Sequence, residues 1–179
     1  KSEGKRVPKL RFPGFEGEWS EKKFNQVFNR ITNKNKEYCT NVLTISAQQG
    51  LINQEKYFTK SVAAKDISGY YLLNEGDFAY NKSYSKGYPI GAIKRLSKYK
   101  KGAVSTLYIC FRAKTDYDTS FLEHFFESGS HNLEISKIVQ EGARAHGLLN
   151  MAIADFFNTI LTLPALPEQQ KISEFLIVM

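Results

Sequence analysis

The hydrophobic positions of this chain change period several times, and each change marks an element. Phe24, Val27, Phe28 and Ile31 fall at helical spacing behind Ser20, whose hydroxyl can accept from a first-turn amide. Ser20 to Ile31 is therefore predicted to be a short amphipathic helix. Val42-Leu-Thr-Ile-Ser46 reads as a strand, Ala47-Gln-Gln-Gly50 interrupts it, and Leu51 to Phe58 is expected to be extended again. Tyr70-Tyr-Leu-Leu73 leads into Asn74-Glu-Gly-Asp77, a turn by composition, and Phe78-Ala-Tyr80 follows. Ile90 to Leu96 and Ala103 to Phe111 predict two strands joined by a lysine-rich turn.

The period then returns to helical. Thr119 to Glu127 carries an apolar stripe of Phe121, Phe125 and Phe126, and Asn132 to Gln140 one of Leu133, Ile135, Ile138 and Val139. Met151 to Phe157 predicts a short helix and Thr159 to Leu163 a strand. In Leu163-Pro-Ala-Leu-Pro167 each proline disfavours helix in the residue before it, so the passage is expected to be extended, with Pro167 suited to the first helical position. Ile172, Phe175, Leu176 and Met179 then share one face of a closing helix, which is short enough to need something to pack on. At the other end, Leu10 to Trp19 is rich in Gly, Pro and aromatics. It predicts an irregular arm tacked down by Phe12, Phe15 and Trp19 after a loose polar start at Lys1 to Lys9. These alternating elements predict an α+β fold: a mixed or antiparallel β core with flanking helices. The boundaries expected are an arm over 1–19, a domain over 20–163 and a helix beginning at 164–179.

A length of 179 residues suits one domain, and 42% hydrophobic content supports a core. No apolar run is long enough to span a bilayer, and no apolar signal segment follows the charged N-terminus. Cys39 and Cys110 are expected to be free thiols of a reducing cytoplasm, with a disulfide as the lesser reading. The chain does not begin with Met, which suggests a piece of something longer. Charge changes the picture most. Lys82, Lys86, Lys94, Arg95, Lys98, Lys100, Lys101, Arg112 and Lys114 form a stretch with no acid, leaving 16 basic against 18 acidic residues elsewhere, so the net charge of +7 arises there. Two readings stand: a surface for a polyanion, or the solvated face of a basic protein.

Three segments together carry a family resemblance. They are Pro8-Lys-Leu-Arg-Phe-Pro-Gly-Phe-Glu-Gly-Glu-Trp19 at the start and Leu163-Pro-Ala-Leu-Pro-Glu-Gln-Gln-Lys-Ile172 at the end. Between them lies Leu73-Asn-Glu-Gly-Asp-Phe-Ala-Tyr-Asn81, with Gly91-Ala-Ile-Lys-Arg95 and Gly102-Ala-Val-Ser-Thr-Leu-Tyr108. In order and spacing they resemble the specificity subunit of type I restriction–modification enzymes. The resemblance implies one target-recognition domain followed by the start of a long helix. A full subunit carries two such domains, each reading half of a split DNA site in the major groove, spaced by two antiparallel helices. This chain has length for one domain, so a natural half-subunit, a truncated product and an excised piece all stand open. The implied partners are double-stranded DNA, the modification (methyltransferase) subunit and the restriction subunit through the complex; the last helix (Ile172, Phe175, Leu176 and Met179) is expected to pack on a second copy, on the missing partner helix or on the modification subunit. No membrane is implied.

Enzyme readings have little to rest on. No Gly-x-Gly-x-x-Gly and no Asn/Asp-Pro-Pro-Tyr/Phe motif occurs. Glu3-Gly-Lys5 and Glu21-Lys-Lys23 match a minimal nuclease pattern but lack a Pro-Asp partner, and His124, His131 and His146 are not at metal-ligand spacing. No catalytic residue, metal or cofactor is expected; in the family, chemistry belongs to other subunits. A pairing module and an unrecognised nuclease remain as competing readings.

Phosphate contacts are expected from Lys82, Lys86, Lys94, Arg95 and Lys98, although alternate residues of a strand face opposite ways. Base readers need side chains with paired donors and acceptors. Gln48 and Gln49, on an expected loop beside Gly50, qualify, or are a solvated turn. Asn81, Ser83, Tyr84 and Ser85 lie on a Gly-flanked loop, where Tyr84 reads DNA or packs on its own domain. Arg144 and His146 lie in Glu141-Gly-Ala-Arg-Ala-His-Gly147, where Arg144 reads DNA or pairs with a carboxylate. Asp77 reads as a turn-former.

Overall fold

The computed structural model describes residues 6–58, 66–140 and 148–178. Its centre is a four-stranded antiparallel sheet in the order β2 (Phe28–Ile31), β9 (Ile109–Ala113), β6 (Phe78–Asn81) and β7 (Ala92–Arg95). Successive side chains of a strand point to opposite faces, and that alternation builds two cores. Phe78, Tyr80, Ile109 and Phe111 project to one face, where they meet Phe24, Phe28, Phe126 and Phe156. Ala79 and Cys110 project to the other, among Ile31, Leu43, Ile45, Leu51, Leu73 and Val104.

The first core is covered by α3 (Thr119–Glu127), α4 (Asn132–Ile138) and α5 (Ile153–Asn158). Phe24 sits at its heart, with ring centroids 4.5 Å from Phe28, 4.6 Å from Phe156 and 4.9 Å from Phe111. The second core is roofed by two ribbons: β3 (Leu43–Ser46) with β4 (Gly50–Asn53), and β5 (Tyr71–Asn74) with β8 (Lys101–Val104). The mixed α+β fold closing in a helix is as the sequence predicts, and α3 has the predicted bounds. Cys110 is buried and Cys39 half-buried, both free thiols; burial pushes the Cys110 thiol up to about 12.

Several local expectations are corrected. Ser20 to Ile31 is not one helix but β1 (Ser20–Lys23), the single turn α1 (Phe24–Val27) and β2. Phe24, Val27, Phe28 and Ile31 are all buried, so the spacing is real, but a strand–turn–strand satisfies it equally. Backbone pairing decides: Ser20 to Lys23 pairs with Leu163 to Ile160 of β10 (Ile160–Leu163), and Phe28 to Ile31 with Ala113 to Cys110. Residues Leu51 to Phe58 divide into β4 and the turn α2 (Gln54–Tyr57), capped by the Asn53 side chain accepting from the Lys56 amide. Residues Ala103 to Phe111 divide between β8 and β9, and β7 pairs with β6 rather than β8. Leu133 is 69% exposed and does not join the α4 stripe.

The closing helix α6 (Leu166–Val178) begins one residue before Pro167, because the Glu168 and Gln169 amides both donate to Ala165 O at 3.0 Å. Its inward face is partly polar. Buried Glu168 accepts from Arg11 Nε and Nη2, each at 2.8 Å, which ties the N-terminal arm to the helix. Buried Gln169 donates to Pro164 O at 2.8 Å and accepts from the Asp118 amide at 3.0 Å, holding α6 against the start of α3. Two segments of the family resemblance, at opposite ends of the chain, thus meet at one ion pair. Phe12 and Trp19 hold the arm as expected, edge-on to Phe175 and Phe121. Of the predicted apolar face, Ile172 packs on the first core, Phe175 and Leu176 are 51% and 37% exposed, and Met179 lies outside the described residues.

Asp77 forms its turn as expected, accepting from the Asn74 amide at 2.7 Å. Its buried carboxylate also takes Arg112 Nε at 2.6 Å and Nη2 at 2.8 Å, a two-pronged pair that the sequence did not announce.

Candidate nucleic-acid interface

Three connections meet along β7, the edge strand of the four-stranded sheet: the β3–β4 turn lies beside it and touches the segments that enter and leave it at its two ends. The β3–β4 turn carries Gln48 and Gln49, closed by Gly50 at φ +80° and by the Gln49 amide donating to Ser46 Oγ at 3.2 Å. The loop from β6 to β7 carries Lys82 to Lys86. The connection from β7 to β8 carries Lys98. Gln48 Nε2 donates to Lys86 O at 3.3 Å, and Lys98 Nζ to Gln49 O at 2.7 Å, so residues about 40 to 50 positions apart form one surface. Beneath it lies a cleft of about 280 Å³ lined by Gln48, Gln49, Arg95, Lys98, Glu123 and His124 among others.

The β6–β7 loop is held along its length. Leu149 N donates to Lys82 O at 2.8 Å, and Ser83 makes a bridge to Leu148. Ser85 and Tyr88 exchange backbone hydrogen bonds of 3.2 and 2.8 Å around Lys86-Gly87, with Gly87 at φ +83°. That positive φ is the left-handed conformation a tight turn wants and glycine supplies freely. At the loop's exit, Gly91 has φ +80°, and a Cβ there would stand 2.3 Å from Asn81 O, so only glycine fits. Tyr84 is 65% exposed and Lys86 exposed at the tip, while Asn81, Lys82, Ser83 and Ser85 are half-buried.

The basic stretch is far less free than its sequence suggests. Lys94 and Arg95, expected at phosphates, instead pair with Glu127 at 2.5 Å and Glu123 at 2.7 Å, two acids one turn apart on α3. Lys100 pairs with Glu75, Lys101 with Glu37 at 2.5 Å, and Arg112 with Asp77. The acid-free run is thus compensated by acids from elsewhere in the chain. Lys82 and Lys86 have no carboxylate partner among the described residues, and Lys98 has only a carbonyl. Sequence reasoning missed Glu123, Glu127 and Tyr88. The only available signal was the i, i+4 spacing of the two acids on a predicted helix. Arg144 and His146 lie outside the described residues. No helix among the described residues is long and apolar enough to cross a membrane.

No protein-family model and no curated protein sequence matches the chain. Solved structures do. The HsdS subunit from Thermoanaerobacter tengcongensis matches with a TM-score of 0.53 and 16% identity, over 93% of this chain and 38% of that one. The type I restriction-modification system S subunit from M. genitalium matches with a TM-score of 0.55 and 15% identity, over 96% and 41%. A chain from a structure concerning complex assembly and conformational transition of the type I R-M system matches at 0.52 and 13% identity, over 93% and 40%. At these identities the likeness is one of fold, and this chain spans about two fifths of the length of each. Its α+β architecture, with the closing helix, is therefore that of one portion of a type I restriction–modification S subunit.

Proposed function

We propose that this chain is a target-recognition domain that reads one half of a bipartite duplex DNA site for a type I restriction–modification complex, in the bacterial cytoplasm. It supplies the address, and the modification and restriction subunits supply methyl transfer and cleavage. The observation that carries this reading is the meeting of the Gln48-Gln49 turn, the Tyr84–Lys86 loop and Lys98 on one surface. Glutamines offer a paired donor and acceptor to a base edge, and the lysines offer charge to the backbone. Phosphate contact falls to Lys82, Lys86 and Lys98; base reading falls to Gln48, Gln49, Ser83, Tyr84 and Ser85, with Asn81 at the loop's root and Arg144 and His146 as further candidates.

The test is a duplex selected from a random pool, together with its single-base variants. Lys86→Ala should weaken every duplex alike. Gln49→Ala should flatten the preference at one base pair, by about 1–3 kcal/mol. If both substitutions merely scale affinity, the division between positioning and reading is wrong.

A second reading, compatible with the first, has one observation in its favour. Phe175, Leu176, Ile177 and Val178 leave the last turn of α6 apolar and 37–86% exposed, and Leu10 beside it is 91% exposed. Such a patch marks an interaction site. We assign it to a second copy of the chain, whose helix would pair with this one and give a symmetric dimer reading an inverted repeat. Phe175→Asp with Leu176→Asp should then sediment as a folded monomer where the wild type is a dimer. A wild type that stays monomeric at high concentration removes this reading and leaves the first intact.

A further inference from the structure

Lys94 belongs to the acid-free stretch, yet it is 9% exposed. A lysine so buried needs partners for its ammonium. Its Nζ lies 2.5 Å from Glu127 Oε2 and 3.1 Å from the Tyr88 hydroxyl, and 4.5 Å from the centroid of the Tyr88 ring. The Tyr88 hydroxyl donates to the other Glu127 oxygen. Lys94 comes from β7, Glu127 from the end of α3 and Tyr88 from the β6–β7 loop, so the three join a strand, a helix and a loop that share no backbone pairing. Tyr88 is also one foot of the tight turn whose other foot is Ser85, and that turn presents Lys86.

We propose that Tyr88, Lys94 and Glu127 form a latch that sets the position of Tyr84 and Ser85 for sequence readout, with Lys94 and Glu127 acting as positioning residues rather than DNA contacts. This rests on the DNA-reading function proposed above. A flexible lysine can find a phosphate from many loop conformations, so a loosened loop keeps its general affinity for duplex. Base readout demands one register, and ordering a loose loop on the correct sequence lowers affinity for that sequence alone. Breaking the latch should therefore cost discrimination, not bulk affinity.

Charge makes the test sharp. Glu127→Gln removes a negative charge beside the DNA surface, so a purely electrostatic role predicts tighter binding to every duplex in equal measure. The latch predicts instead that the ratio of affinities for the selected and an unrelated duplex falls about tenfold, the scale of one hydrogen bond to a charged group. Tyr88→Phe, which alters no charge, should lower the ratio comparably, and Lys94→Arg, which can still pair with Glu127, should retain more of it than Lys94→Met. A second measurement needs no DNA: amide hydrogen exchange at Ser85 and Tyr88 should accelerate in Tyr88→Phe and Glu127→Gln while the β6 and β9 amides hold their wild-type rates. Unchanged exchange at Ser85 and Tyr88 overturns the latch. So does accelerated exchange with discrimination intact, since the loop's position would then not govern readout. Accelerated exchange in a protein whose wild type prefers no sequence upholds the latch and overturns the DNA reading instead.

Discussion

A tenfold rise in salt should weaken binding to duplex DNA by about 500-fold, a slope of log K against log salt near −2.7. The figure comes from counting phosphates. Each lysine that neutralises one releases condensed counterions and contributes about −0.9 to the slope. The acid-free stretch offers nine cations by sequence, which would give roughly −8. The structure engages Lys94, Arg95, Lys100, Lys101 and Arg112 with carboxylates and ties Lys114 to Asn25 O at 3.0 Å, just before β2 at the far edge of the sheet, leaving Lys82, Lys86 and Lys98 as the proposed contacts. Titration at several salt concentrations decides between these cases. A slope near zero removes the basic surface altogether; one near −8 means that the ion pairs open when DNA binds.

Acid should unfold this protein through His131. That residue is 1% exposed, and burial pushes its imidazole down to about 4, against the raising effect of Glu134. The Thr159 hydroxyl donates to Phe156 O at 2.7 Å, so at the 3.0 Å contact with His131 its oxygen must accept from Nε2–H. Nδ1 then carries no proton and has no partner among the described residues, in a core of Phe24, Phe125, Phe126 and Phe156 rings. Protonation would place a charge there. The unfolded chain takes up the proton near the ordinary imidazole value of 6.5, while the folded chain refuses it until about 4. Between those values the unfolded state binds more protons. The stability associated with neutral His131 is thus complete above about 6.5 and declines as pH falls through the window, by about 3 kcal/mol in all. Urea unfolding from pH 7.5 down to pH 4 measures the decline. His131→Gln, whose amide can still donate to Thr159, should flatten it; parallel curves for the two proteins would clear His131 of the effect.

Much of the architecture was legible because it is local. The helix at Thr119–Glu127 follows from three aromatics on one stripe, and the turn at Asn74–Asp77 from residues that bond their own backbone. The order of the three family-like segments pointed to the fold that the solved structures share. What tertiary structure decided is what depends on distant partners. The spacing of Phe24, Val27, Phe28 and Ile31 suits a helix and a strand–turn–strand alike, and only pairing with residues 110–113 and 160–163 chose between them. Local pattern placed β7 and β8 next to each other in sequence, but each found its mate elsewhere, in β6 and β5. The candidate site shows the same division. Gln48, Lys86 and Lys98 were recognisable by residue type, yet their meeting required three connections from different ribbons. Charge was the least legible property of all. An ion pair is chosen by distance in space, and Glu37, Glu75, Asp77, Glu123 and Glu127 reach the basic stretch from 25 to 64 positions away, so counting along the chain overstates the free charge that folding leaves.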